Sequence, residues 1–422
     1  MRFLLRFPCI LLFVCSSTFV TAQSDTLMAN HECRIREGMP NSLQKLQAGQ
    51  QVTIGYFGGS ITEAGNGWRE KSLNELQQRF PKASIKAINA AIGGTGSNLG
   101  VFRLKQHVLV HQPDLVFVEF AVNDSNTPTS VIHKSMEGIV RQIWRQNPKT
   151  DICFVYTLNE PMVPTLLAGN LPNSVVAMEQ IAQHYGIPSI HMGLELIAKA
   201  RQGEVVWKGV QADHPGKIVF SPDGTHPYSE TGHTFYATAF ARSLTKLMNV
   251  TKPVAHRLPK PFDAENWEAA KMVSLQDIAR SQDWQVLSPE TDSVAHQLRN
   301  RFTYLIKSSK PGASLTIHFT GNVLGVYDVV GPNCGQYTVS VDDQPDTDYP
   351  RFDSFATYYR SSFFFVPIDK AGKHTVTLRV SPKQLDKAAI LKTRNKTIDN
   401  PAAYQENACY ASQLLVVGDL AN

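Results

Sequence analysis

The stretch Val52-Thr53-Ile54-Gly55-Tyr56-Phe57-Gly58-Gly59-Ser60-Ile61-Thr62 decides the fold. Its first six residues, mostly β-branched and aromatic, read as a buried strand. Two glycines then permit an abrupt turn, and Ser60 stands where the strand gives way to a helix. Outward from this unit the same alternation recurs. Ser84 to Asn89, Leu115 to Phe120 and Asp151 to Tyr156 are further short apolar runs. Helical stretches fall at Trp68 to Phe80, Leu99 to His111, Val131 to Gln146, Ser174 to Tyr185 and Tyr228 to Met248. Strands alternating with helices predict a parallel sheet covered on both faces, and right-handed crossovers make it a three-layer α/β/α sandwich. Ligands of such sheets sit at the carboxyl ends of strands. The polar, glycine-rich stretches GGSIT (58–62), GGTGSN (93–98) and VNDSN (122–126) all fall there.

From residue 251 the pattern changes. TKPVAHRLPKPFDAENW (251–267) is proline-bearing and reads as a linker. Beyond it, SLTIHFTG, VLGVYDVVG, QYTVSVDD, SSFFFVPI, HTVTLRV and SQLLVVGDL are short alternating strands punctuated by Gly, Pro, Asp and Asn. They predict an antiparallel β-sandwich of jelly-roll type. The expected division is a signal at 1–22, an α/β domain at 23–250, a linker at 251–266 and a β-sandwich at 267–422.

The signal follows from a basic start (MRFLLRF), an apolar core (PCILLFVCSS) and small residues at Val20-Thr21-Ala22. It predicts a secreted or periplasmic protein, with lipid attachment at Cys15 as the lesser alternative. No later run is long enough to span a bilayer. With 42 % hydrophobic and 18 % charged residues, the chain excludes fibrous and disordered classes. Removing Arg2 and Arg6 from the 41 Lys and Arg leaves 39 against 36 Asp and Glu, too slight an excess to argue for nucleic acid. Of the cysteines outside the signal, Cys153 reads as a buried thiol, and Cys334 with Cys409 is the candidate disulfide pair. No Cys/His spacing suits zinc, so no metal is expected.

Four fragments carry chemistry. Ser60 in the Gly-Gly-Ser turn is a candidate nucleophile. In Asn89-Ala90-Ala91-Ile92-Gly93-Gly94 the side-chain-free Gly94 can aim its N–H at a developing oxyanion. The loop lacks the spacing and the Lys-Ser or Lys-Thr pair of nucleotide sites. Asn123, after the strand LVFVEF, can supply an amide donor. In Asp223-Gly224-Thr225-His226 a carboxylate three residues before a histidine can turn back on Nδ1, freeing Nε2 to take a proton from Ser60. The adjacent pair Asp213-His214 cannot do this as readily.

These fragments, in this order and each at a strand end, resemble the SGNH hydrolases, also called the GDSL esterase family. Its signature Ser, Gly, Asn and His are matched by Ser60, Gly94, Asn123 and His226, with Asp223 as the triad carboxylate, over about residues 50 to 250. Two positions depart from the family pattern, Gly59 for the Asp of Gly-Asp-Ser and Ala121 for the Gly of Gly-x-Asn-Asp, and neither removes a catalytic group. The resemblance implies a cofactor-independent ester hydrolase with catalytic Ser60, Asp223 and His226. Its oxyanion hole would be formed by Ser60, Gly94 and Asn123. The appended β-sandwich looks like that of carbohydrate esterases, which makes an acetylated polysaccharide the first expected substrate and lipid or aryl esters the second. An acyltransferase and a non-catalytic carbohydrate-binding protein on the same scaffold are the remaining alternatives.

Glu160 is a candidate cleft residue, and Trp68, just after the catalytic turn, reads either as capping the following helix against the sheet or as lining the cleft. Tyr358 and Tyr359, in YYRSSFFF, are candidates for stacking on sugar, against the alternative that the aromatic run packs between sheets. Glu119 and Glu160 form a weaker candidate acid pair for glycoside cleavage.

Overall fold

The computed structural model describes residues 31–250 and 252–421. The export signal expected at 1–22, with Cys9 and Cys15, lies outside them.

The first sheet contains β1 (Cys33–Arg34), β2 (Gln51–Gly58), β3 (Ser84–Asn89), β4 (Leu115–Glu119), β5 (Asp151–Tyr156) and β6 (Ser189–His191) in the order β1-β6-β5-β4-β2-β3. All pairs are parallel except β1 with β6. β4 and β5 are buried along their whole length and β2 is buried after Gln51. That explains their unbroken apolar sequences. From β2 the chain moves outward to β3 and then returns to the other side of β2 as β4. The strand order therefore reverses between β2 and β4, which is where a crevice opens in sheets of this kind. The register sets Gly58 beside Glu119, so the loops carrying Ser60 and Asn123 leave the sheet side by side. β7 (Val205–Lys208) and β8 (Ile218–Ser221) form a small parallel pair. From β8 the chain runs into the Asp223–His226 loop.

The predicted helices occur at Trp68–Arg79, Ser97–His107, Thr129–Gln146, Asn173–Tyr185 and Gly232–Leu247. Two compact units result. One comprises the chain up to Gly94, Pro113–Thr127 and Lys149–Ala255, and the other Thr95–Gln112, Pro128–Pro148 and His256–Asn422. The helices Ser97–His107 and Thr129–Gln146 thus belong to the second unit. There Glu137 accepts backbone hydrogen bonds from Phe262 and Asp263 at 2.6 and 2.8 Å, and Phe102 packs on Trp267 and Phe365.

The second unit is built on an antiparallel sheet of β9 (Ala270–Ser274), β10 (Ala279–Arg280), β13 (Ser314–Val330), β14 (Gln336–Val341), β15 (Thr347–Pro350), β16 (Arg360–Val366), β17 (Gly372–Val380) and β19 (Gln413–Leu420). A three-stranded sheet of β11 (Gln285–Leu287), β12 (Leu305–Ser308) and β18 (Cys409–Ala411) accompanies it. Their shared core includes Trp284, Ile306, Leu315, Ile317, Val376 and Leu414. SLTIHFTG and VLGVYDVVG are one 17-residue strand, β13, where the sequence suggests two. Gly321 marks a bulge in β13 opposite Gly418, with no room for a Cβ between the chains. Cys334 and Cys409 are buried free thiols, as are Cys33 and Cys153, which corrects the expected bridge. Their sulfurs instead face the carbonyls of Val329 and Gln336.

Candidate active site

Ser60 opens a one-turn helix, Ser60–Glu63, at the end of β2. Its Oγ lies 2.9 Å from His226 Nε2, and His226 Nδ1 lies 2.7 Å from Asp223 Oδ2. The other carboxylate oxygen, Asp223 Oδ1, accepts the N–H groups of Thr225 and His226 at 2.9 and 2.8 Å. Burial pushes the Asp223 carboxyl up, but the hydrogen bonds from the His226 ring and these two N–H groups outweigh it and hold it below the usual range. It is therefore ionised at neutral pH, the form that accepts from the imidazole. Gly224, with φ +86°, makes the tight turn. The loop is fixed by its own N–H on Ser221 Oγ at 2.7 Å and by the Glu160 N–H on the Gly224 carbonyl at 2.7 Å. The histidine and aspartate side chains are about half exposed, so the relay opens to solvent.

The three candidate oxyanion donors belong to Ser60 and to residues packed on or adjoining its turn. The N–H groups of Ala90, Ala91, Ile92 and Gly93 are taken in turn by Tyr56 O, Asn89 Oδ1, Gly58 O and Glu63 Oε2. The next residue is Gly94, exposed and at φ +72°, whose N–H finds no acceptor among the described residues. The Ser60 N–H and the Asn123 amide likewise find none there. The Asn123 amide lies against Gly59, since a Cβ built on Gly59 would come within 2.0 Å of Asn123 Oδ1. Gly93 also packs on the serine, since a Cβ added there would lie 3.4 Å from Ser60 Cβ. Donors without acceptors next to a serine–histidine pair are what an oxyanion requires.

The other predicted residues divide. Trp68 is fully buried, stacked edge-on against Tyr56 and Phe117, so it supports the turn from below and does not line a cleft. Its Nε1 donates to Thr62 Oγ1 at 3.2 Å. Glu160 is exposed and beside Gly224, on the rim near His226. Glu119 is not an acid partner for it. Its side chain is buried under the nucleophile turn, accepting from Thr62 Oγ1 at 2.9 Å and Thr157 Oγ1 at 2.8 Å. Burial pushes the Glu119 carboxyl up, while Thr157, Thr62 and the Gly59 N–H pull it partly back.

Tyr358 and Tyr359 belong to the second unit. Tyr358 is 54 % exposed, whereas Tyr359 lies over Gly331. Phe363 contacts Phe365 on the same strand, and Phe364 packs on Tyr337 and Tyr349 in the core of this unit, within one sheet. Sequence reasoning missed Thr62, Glu63, Thr157 and Ser221. Only Glu63 left a signal, as a carboxylate three residues after the serine and thus on the same side of a helical turn.

Residues 56–234 match the sequence model of the GDSL-like Lipase/Acylhydrolase family. No curated protein matches the chain. Among solved structures it is similar to a two-domain esterase (CEX) active on acetylated mannans. It is 19 % identical to that protein co-crystallised with mannopentaose, covering 93 % of this chain and 100 % of that one at a TM-score of 0.70. A second structure of that esterase gives 18 %, 92 %, 100 % and 0.71. At this identity the likeness is one of fold, extending through both units.

Proposed function

We propose, from the match of residues 56–234 to the GDSL-like lipase/acylhydrolase family, that the protein is a secreted serine esterase that removes acetyl groups from polysaccharides or oligosaccharides. The observation that carries it is the assembled Ser60–His226–Asp223 relay, at 2.9 and 2.7 Å, beside three donors without acceptors among the described residues. Ser60 Oγ attacks the acyl carbonyl as His226 Nε2 takes its proton. Asp223 holds the Nδ1–H tautomer and stabilises the imidazolium. The N–H groups of Ser60 and Gly94 and the amide of Asn123 bind the oxyanion. His226 then returns the proton to the departing sugar hydroxyl, and a water, deprotonated by the same imidazole, releases acetate. The half-exposed relay suits a bulky polar substrate, and the acetylated-mannan activity of the two-domain structural relative supports the carbohydrate class.

Purified protein and its Ser60→Ala variant, incubated with 4-nitrophenyl acetate and with acetylated mannan, xylan and pectin, test this. Acetate released from a polysaccharide by the parent alone is the expected result. Nitrophenol without polysaccharide acetate would keep the esterase and discard the substrate class.

A further inference from the structure

The oxyanion loop is held by a side chain that no catalytic role accounts for. Glu63 lies one turn after Ser60 on the same short helix, and its Oε2 accepts the Gly93 N–H at 2.7 Å. The two preceding main-chain bonds of this loop, from Ala90 and Ile92, go to the backbone of β2 and so follow from the sheet itself. The Gly93 bond does not, because it needs a carboxylate reaching across from the nucleophile's own helix. It is the last of these attachments before Gly94, a residue held at φ +72° in the left-handed region that glycine adopts without strain. A second link, from Asn89 Nδ2 to the Glu63 carbonyl at 3.4 Å, uses only the backbone of residue 63.

We propose that Glu63 is a positioning residue for the oxyanion site: by clamping Gly93 to the helix that carries Ser60, it fixes the aim of the Gly94 N–H relative to the nucleophile. The inference rests on the esterase reading above. Without the clamp the loop keeps its attachments to β2 through Ile92, but the Gly94 donor loses its fixed distance from Ser60. A misplacement of about 1 Å at such a donor costs up to about 100-fold in rate. Because the donor acts on charge that develops in the transition state, the loss falls on kcat and leaves KM nearly unchanged.

Three full-length variants, Glu63→Ala, Glu63→Gln and Glu63→Asp, measured on 4-nitrophenyl acetate beside the parent and Ser60→Ala, decide the matter. Glutamine keeps an acceptor oxygen at the same reach, whereas aspartate falls one methylene short. The expected result is a roughly 10- to 100-fold fall in kcat for Ala and Asp, KM within about threefold, and Gln within about threefold of the parent. A kcat for Glu63→Ala within twofold of the parent overturns the inference, as does an equal loss in Gln and Ala. If the Ala variant does not fold, the Gln-against-Asp contrast decides on its own. A parent without Ser60-dependent hydrolysis overturns the esterase reading and this inference with it, whereas an active, Ser60-dependent parent with an indifferent Glu63 removes only the inference.

Discussion

Gly59 stands where a side chain would expel a donor. Any Cβ there meets the Asn123 amide at 2.0 Å, so Gly59→Ala must push that amide away from Ser60. The expected loss is about 10²- to 10³-fold in kcat, the cost of removing one oxyanion donor, and Asn123→Ala should cost the same. If the glycine acts only through the amide, Gly59→Ala in the Asn123→Ala background costs little more, and kinetics of the four-member cycle check this. The sequence made the tight turn visible and even supplied the departure from Gly-Asp-Ser. It could not show why the second glycine is needed, because the conflicting atom lies 64 residues away, in the turn after another strand. Trp68 illustrates the converse. Its place just after the nucleophile allowed either the cleft or a cap between helix and sheet, and a large ring at the start of a helix over an apolar sheet gains more from burial beside Tyr56 and Phe117 than from exposure.

The nucleophile turn is an element built over a buried carboxyl group, that of Glu119. Thr62 donates to Glu119 and accepts from the Trp68 indole. Thr62→Val therefore strips one donor from a buried carboxyl group and orphans a buried N–H. Each unsatisfied group costs about 1–3 kcal/mol, so denaturant unfolding should show a loss of about 2–6 kcal/mol. Thr62→Ser, which keeps the hydroxyl, should lose far less. In the second unit Gly138 on the helix Thr129–Gln146 has its Cα against the main chain of Trp267, where a Cβ would lie 2.6 Å from a backbone carbon. Gly138→Ala is expected to destabilise by about 1–3 kcal/mol through this overpacking, despite alanine's better helix propensity. The alternating strands and helices of the first sheet were legible because each carries its own period. β1 and β6 escaped notice at two and three residues. β13 looked like two strands because a glycine in a bulge and a glycine in a turn are alike in sequence.

Across the first unit, acid stability is governed by buried imidazoles as well as by carboxylates. His191 and His233 are 3 % and 2 % exposed, and burial pushes both down to about 4. His233 Nδ1 accepts the Trp68 N–H at 3.1 Å, which fixes it neutral. His191 sits beside Tyr156, with its Nδ1 lacking a partner among the described residues. In the unfolded chain each imidazole takes a proton below about 6.5, whereas in the folded chain each stays neutral until about 4. Between those values the unfolded state binds more protons, so stability falls as pH falls and is unaffected by them above about 7. Glu119, pushed up by burial, works in the opposite sense, so the contribution of one histidine is best isolated as a difference. His191→Gln removes one titrating group, and its unfolding free energy should fall less steeply than the parent's between pH 6.5 and 4. The slopes should differ by up to about 1.4 kcal/mol per pH unit, the value of one proton. Denaturant unfolding of both proteins at half-unit pH steps measures it. Parallel slopes would mean that His191 gains its proton without unfolding and that the imidazole is not held neutral by its surroundings.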